Sequence, residues 1–127
     1  MDADERRYKE ISGTILGAAF AVSNELGVGY LEKVYENALF ADLTMRGLKA
    51  AQQTPIKVRY RGVVVGDYVA DLIVEGLVLV EIKHVEQLHN VHMAQCLNYL
   101  KATGLKLCLL INFGKEQIEY KRLVNNF

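Results

Sequence analysis

The chain has 127 residues, with 15 Lys+Arg matched by 15 Asp+Glu, 51% hydrophobic and 24% charged. That length suits one ordinary domain burying roughly two thirds of its unfolded surface without staples. Zero net charge excludes a protein that holds nucleic acid by bulk charge alone, because counterion release needs clustered Lys and Arg; a local basic patch stays open. Cys96 and Cys108 are too few for a disulfide framework and lack the short pairing of a zinc site, so they read as free thiols of a cytosolic chain. The apolar stretch 11–22 is too short to span a bilayer, and its flank, 1–10, carries four acids against three bases, which is wrong for a secretory leader. The expectation is one cytoplasmic, soluble domain over 1–127 with no membrane partner.

Ile11, Ile15, Ala18, Ala19, Val22 and Leu26 recur at helical spacing and predict a core-packed helix over 10–26, ended by Gly27 and Gly29. A second helix is expected over 31–46. At about 100° per residue, Glu32, Tyr35, Glu36, Leu39 and Leu43 share one face, with Leu31, Val34, Ala38, Ala41 and Met45 on an adjoining one. Both acids therefore lie beside apolar surface, where a carboxylate wants a metal or a lysine. The positive helix N-terminus also favours acids; that explanation is preferred for Glu36, and a functional one for Glu32. Pro55 opens a β section in which Lys57, Arg59 and Arg61 alternate with Ile56, Val58 and Tyr60. Three cations on one strand face serve equally as phosphate contacts or as protection of an exposed edge.

Strands over 63–74 and 77–83 follow. A third helix over 89–103, closed by Gly104, puts His92, Gln95 and Tyr99 on one stripe, with Val91, Ala94, Leu97 and Leu100 packing elsewhere. An amide and a phenol so aligned can hydrogen-bond a phosphate, a water or a base edge, while His89 and His92 read as capping or solvated residues. The apolar run 105–113 suits a strand covered on both faces, and 117–123 alternates as an edge strand. The order is ααβββαββ, an α/β chain with a mixed sheet.

The segment richest in chemistry runs from Asp71 to Lys83. Alternation puts Leu77, Leu79, Glu81 and Lys83 on one strand face, and two charges there are costly unless paired or bound. Asp71 joins them only if the turn has odd length. A two-residue turn sends it to the other face; a three-residue turn 74–76, with Gly76 at positive φ, sets Asp71 opposite Leu79 and diagonal to Glu81. Two carboxylates suit Mg²⁺ or Mn²⁺, and a lysine beside them can orient or deprotonate an attacking water.

Gly29–Tyr35 reads Gly-x-x-Glu-x-x-Tyr, and Asp71 with Glu81-Ile82-Lys83 reads Asp…Glu-x-Lys. Gln95 and Tyr99 read Gln-x-x-x-Tyr, and Ile111-Asn112-Phe113-Gly114 follows. Together, in this order, they resemble the GxxExxY protein family, a compact branch of the PD-(D/E)XK nuclease superfamily, over about 11–124. The resemblance implies a restriction-endonuclease-like core, a mixed central β-sheet flanked by helices. It implies Mg²⁺ or Mn²⁺ on Asp71 and Glu81, Lys83 as the catalytic lysine, and Glu32 as the helix glutamate that completes the metal site. Gln95 and Tyr99 would support site and substrate, and Tyr35 would pack or touch substrate. Ala70 stands where the superfamily's eponymous proline would be.

The leading reading is a metal-dependent nuclease acting on DNA, with Arg59 and Arg61 as candidate phosphate contacts. The alternative is a nuclease-fold module that binds nucleic acid or a protein without cutting. A core this small, with no added recognition domain, is expected to form a homodimer or to be delivered by a partner.

Overall fold

The structure, a computed structural model, describes residues 2–125; Met1 of the acidic flank and the last two positions of the 1–127 reading lie outside the described residues. Three helices, α1 (Ala3–Leu26), α2 (Glu32–Met45) and α3 (Asn90–Thr103), flank five strands, β1 (Ala50–Tyr60), β2 (Val63–Val74), β3 (Val78–Lys83), β4 (Leu107–Asn112) and β5 (Glu119–Val124). The strands lie side by side in chain order. All neighbours are antiparallel except β3 and β4, which α3 connects in parallel. This is the mixed α/β sheet expected, in the order ααβββαββ.

Helix α1 starts seven residues before the helix that the apolar periodicity predicts over 10–26. Its opening turns face water apart from Tyr8, so periodicity is blind to them. What starts the helix is Asp2, whose carboxylate accepts the Glu5 N–H at 2.8 Å, with Asp4 and Glu5 favouring the positive terminus. At α3, His92 Nδ1 accepts the His89 N–H at 3.0 Å, so the histidine pair caps.

Two cores form, one on each face of the sheet. Ile15, Leu39, Leu43, Leu72, Val80, Ile82 and Leu109 pack with α1 and α2 on one face. Leu79, Cys108 and Leu110 pack with Cys96, Tyr99 and Leu100 of α3 on the other. β4 is buried at all six positions, as a strand covered on both faces must be. On α3 the packing stripe is rotated from the one expected, and of the four packing candidates only Leu100 is buried. Cys96, Tyr99 and Leu100 are buried, whereas Val91 and Leu97 are exposed, because the helix rests on the sheet through the Tyr99 side.

The motif residues outside the acids lock the loops around β3. Tyr35 is fully buried. Its hydroxyl donates to the Gly27 carbonyl at 2.6 Å and accepts the Tyr30 N–H at 3.2 Å, and its ring stacks on Phe113 at 5.0 Å and His84 at 5.6 Å. Asn112 accepts the Val85 and Gly114 N–H groups at 3.0 and 2.9 Å and donates to the Val85 carbonyl at 2.9 Å. A Cβ at Gly114 would overlap the Val85 backbone, so only glycine fits there. The segment just after Lys83 is thus clamped from two sides.

Candidate metal centre

Strands β2 and β3 pair from Val74↔Val78 to Leu72↔Val80 and then part. Asp71 and Glu81 stand just past the last pair, and their side chains take over the ladder. The Ile82 N–H donates to Asp71 Oδ2 at 2.7 Å, and the Asp71 N–H donates to Glu81 Oε1 at 3.2 Å. Each carboxylate is anchored on the other strand, which brings the two together.

The turn has the odd length that this geometry requires, but it is placed one residue later than expected. Val74 stays in the strand, and the loop is Glu75, Gly76 and Leu77. Glu75 at φ 55° and Gly76 at φ 66° both take left-handed conformations, and the Leu77 N–H donates to the Val74 carbonyl at 3.0 Å. Glu75 is held there because its carboxylate accepts the Lys49 N–H at 2.6 Å. The consequence is a shift of the register by two: continued past Leu72, it sets Asp71 opposite Glu81 rather than opposite Leu79.

Electrostatics follow from this crowding. Glu81 is 4% exposed, and burial, then the negative charge of Asp71, push its carboxyl up to about 9. Asp71 is also raised, first by burial and then by Glu36, against the Ile82 N–H and Lys83, which lower it. Glu32 begins α2 at the rim and keeps solvent access; partial burial and then Asp71 raise it, while Lys83 and the His84 backbone lower it. Lys83 completes the cluster, its Nζ donating to Gln95 Oε1 at 3.4 Å. Tyr99, 6% exposed, is raised to about 12 by burial and then by Glu81, so its hydroxyl remains a donor. Glu32, Asp71, Glu81, Lys83, Gln95 and Tyr99, the polar candidates from four separate elements, therefore fall in one neighbourhood.

Three candidates fall elsewhere. Tyr35 has no exposed surface and packs within the core on the α1 and α2 side. Lys57 and Arg59 keep the alternation of β1, because the extra residue of the bulge opposite Val58 and Arg59 is Val65 of β2, whereas Arg61 has left the strand and lies in the hairpin turn at φ 50°, its guanidinium 5.3 Å from the Tyr60 ring centre. Lys57 is ion-paired with Asp67. Arg59 lines a groove beside α3; Arg61 does not.

Glu36 is the acid that sequence reasoning undervalued. It is 3% exposed and fully satisfied, accepting from Lys33 Nζ at 2.9 Å, Gln52 Nε2 at 2.7 Å and Gln53 Nε2 at 2.8 Å. Its place on the stripe of Tyr35, Leu39 and Leu43 was the available signal. It acts on the site at a distance, by adding negative charge near Asp71.

Among the described residues, no three His, Cys, Asp or Glu side chains are grouped as a ready metal cage. Asp71 and Glu81 nevertheless fit a hard divalent cation. They are adjacent oxygen donors in a desolvated corner, held by backbone N–H groups, and burial raises both carboxyls above their ordinary values. Mg²⁺ needs only one or two carboxylates and keeps its remaining waters.

The family model described as the PD-(D/E)XK nuclease superfamily matches residues 9–123. The chain belongs to that superfamily. Neither the curated proteins nor the solved structures returned a match. Among the described residues, no helix is long and apolar enough to cross a membrane.

Proposed function

We propose that this protein is a divalent-metal-dependent nuclease that hydrolyses DNA phosphodiester bonds, a single-domain member of the GxxExxY branch. The branch assignment is supported by Gly29, Glu32 and Tyr35 at the motif spacing, with Tyr35 bonded to Gly27 and Tyr30 and stacked on Phe113, and by the clamp that Asn112 and Gly114 form on Val85. The observation that carries the function is the Asp71–Glu81 pair, seated where β2 and β3 part, with Lys83 beside it. Burying two mutually repelling acids there costs stability that packing alone would not require.

Asp71 and Glu81 would hold Mg²⁺ or Mn²⁺, with Glu32 reaching in from the start of α2. When bound, such a cation acts as a Lewis acid on a phosphate oxygen and favours ionised water. Lys83 orients the attacking water and offsets the charge that builds on the phosphate, and Gln95 holds the lysine's direction through its 3.4 Å contact. Tyr99 supplies a hydroxyl donor that stays protonated. A second copy of the chain or a delivery partner would add to substrate recognition.

The test is cleavage of fluorescent single-stranded, duplex and branched DNA in Mg²⁺ or Mn²⁺. Lys83→Ala is expected to lower the rate by roughly 10²–10⁴-fold, the range of general acid–base contributions. Unchanged cleavage would remove Lys83 from the mechanism. Wild type that cuts nothing under either metal would move the protein to a non-catalytic binding module.

A further inference from the structure

A groove of about 700 Å³ runs between the β1–β2 hairpin and α3. Arg59 and Tyr68 line one wall; Gln95, Tyr99 and Lys101 line the other. Gln95 is also the residue that contacts Lys83, so the groove wall adjoins the acidic corner through this side chain. The groove is lined by no acid. Arg59 and Lys101 make no ion pair among the described residues, which leaves both cations available to phosphates.

Tyr68 distinguishes this groove from a merely basic one. Its ring leans on Tyr99, with centroids 5.5 Å apart and planes at 49°, yet the residue stays 47% exposed. It also lies over Gly66, where a Cβ would stand 3.2 Å from Tyr68 Cε2, so the hairpin glycine leaves the space that the ring occupies. A half-exposed aromatic between unpaired cations offers a base a stacking surface. Duplex DNA keeps its base faces inside its own stack and has nothing to lay on such a ring; a single strand presents every face.

We infer that this groove takes a single strand of nucleic acid, with a base stacked on Tyr68 and its flanking phosphates on Arg59 and Lys101, leading the strand to the acidic corner. The inference deepens the nuclease reading and rests on it for what happens at that corner. Binding is read apart from cleavage by fluorescence anisotropy without divalent metal, using one labelled oligonucleotide as a single strand and as a blunt duplex.

The single strand is expected to bind at least about tenfold tighter, by its base stacking. Tyr68→Ala should weaken single-strand binding roughly 5- to 150-fold, Tyr68→Phe should keep it, and Lys101→Ala should reduce the salt slope by about 0.7. Duplex binding as tight as single-strand binding, single-strand affinity indifferent to Tyr68→Ala, or no binding of either form would overturn the inference. The two readings fail separately. Cutting without Tyr68 dependence leaves the nuclease and removes the groove, whereas Tyr68-dependent binding without cutting in Mg²⁺ or Mn²⁺ leaves the groove and removes the nuclease.

Discussion

The same five strands present two unlike faces. On the side of α1 and α2, two helices cover the sheet, and Leu39, Leu43, Leu72, Val80 and Ile82 are sealed completely. On the other side α3 stands alone. Leu79 and Leu110 are sealed beneath it, but the strands carry on into Asp71, Glu81 and Lys83, and a groove stays open along the helix. Sealing is what lets a face be chosen for packing alone. Charged groups survive where cover is incomplete and where parting strands free backbone N–H groups to hold them. The contrast separates residues that hold the fold from residues proposed to hold the chemistry.

Substitutions can test that division. Leu39→Ala, on the sealed face, should cost about 2–5 kcal/mol of stability by emptying a packed position, read by urea unfolding; a cost under about 1 kcal/mol would mean that the two-helix face is loosely packed. Glu81→Gln, on the open face, should do the reverse and stabilise the metal-free protein. The folded state keeps the Glu81 proton to about 9, against 4.5 for the free group. Stability therefore falls as pH climbs from 4.5 towards 9, and an uncharged amide escapes the loss. At pH 7.5 the melting temperature should rise by a few degrees, and at pH 4 the gain should vanish. A loss of stability at both pH values would show that the carboxylate is favourably compensated. The smallest structural effect belongs to Gln95→Ala, expected to stay within about 0.5 kcal/mol in stability while slowing cleavage about tenfold, which is 1.4 kcal/mol of transition-state stabilisation. Equal rates would show that Lys83 needs no guide.

How much of this was legible depended on sequence distance. Period-two alternation from Leu79 to Lys83 reveals which residues share a face, and it makes an odd turn necessary for Asp71 to meet Glu81; both hold, but Leu77, expected on the face of Leu79, lies in the turn and packs against the core on the α1 and α2 side. It does not reveal which three residues form the turn. That was decided by Glu75 adopting a left-handed conformation, tied to Lys49 26 positions away. The partners of Glu36 are likewise remote, Gln52 and Gln53 lying 16 and 17 residues on, so its place on the apolar stripe hinted at burial without revealing what would satisfy the charge there. The strand ends at Tyr60 and Arg61 turns away at φ 50°, which alternation does not reveal, so the third cation leaves the face of Lys57 and Arg59. Tyr35 carried an ambiguous motif position. Its packing role emerged only when Phe113, 78 residues later, arrived beneath its ring.

The central claim is that Asp71 and Glu81 form a divalent metal site, and calorimetric titration of Mn²⁺ and Mg²⁺ into wild type and Asp71→Ala tests it most directly. Wild type should bind, more tightly at pH 8 than at pH 6 because Glu81 must give up its proton, and Asp71→Ala should not. Equal binding by the two proteins, or no binding by wild type up to millimolar metal, would contradict the account.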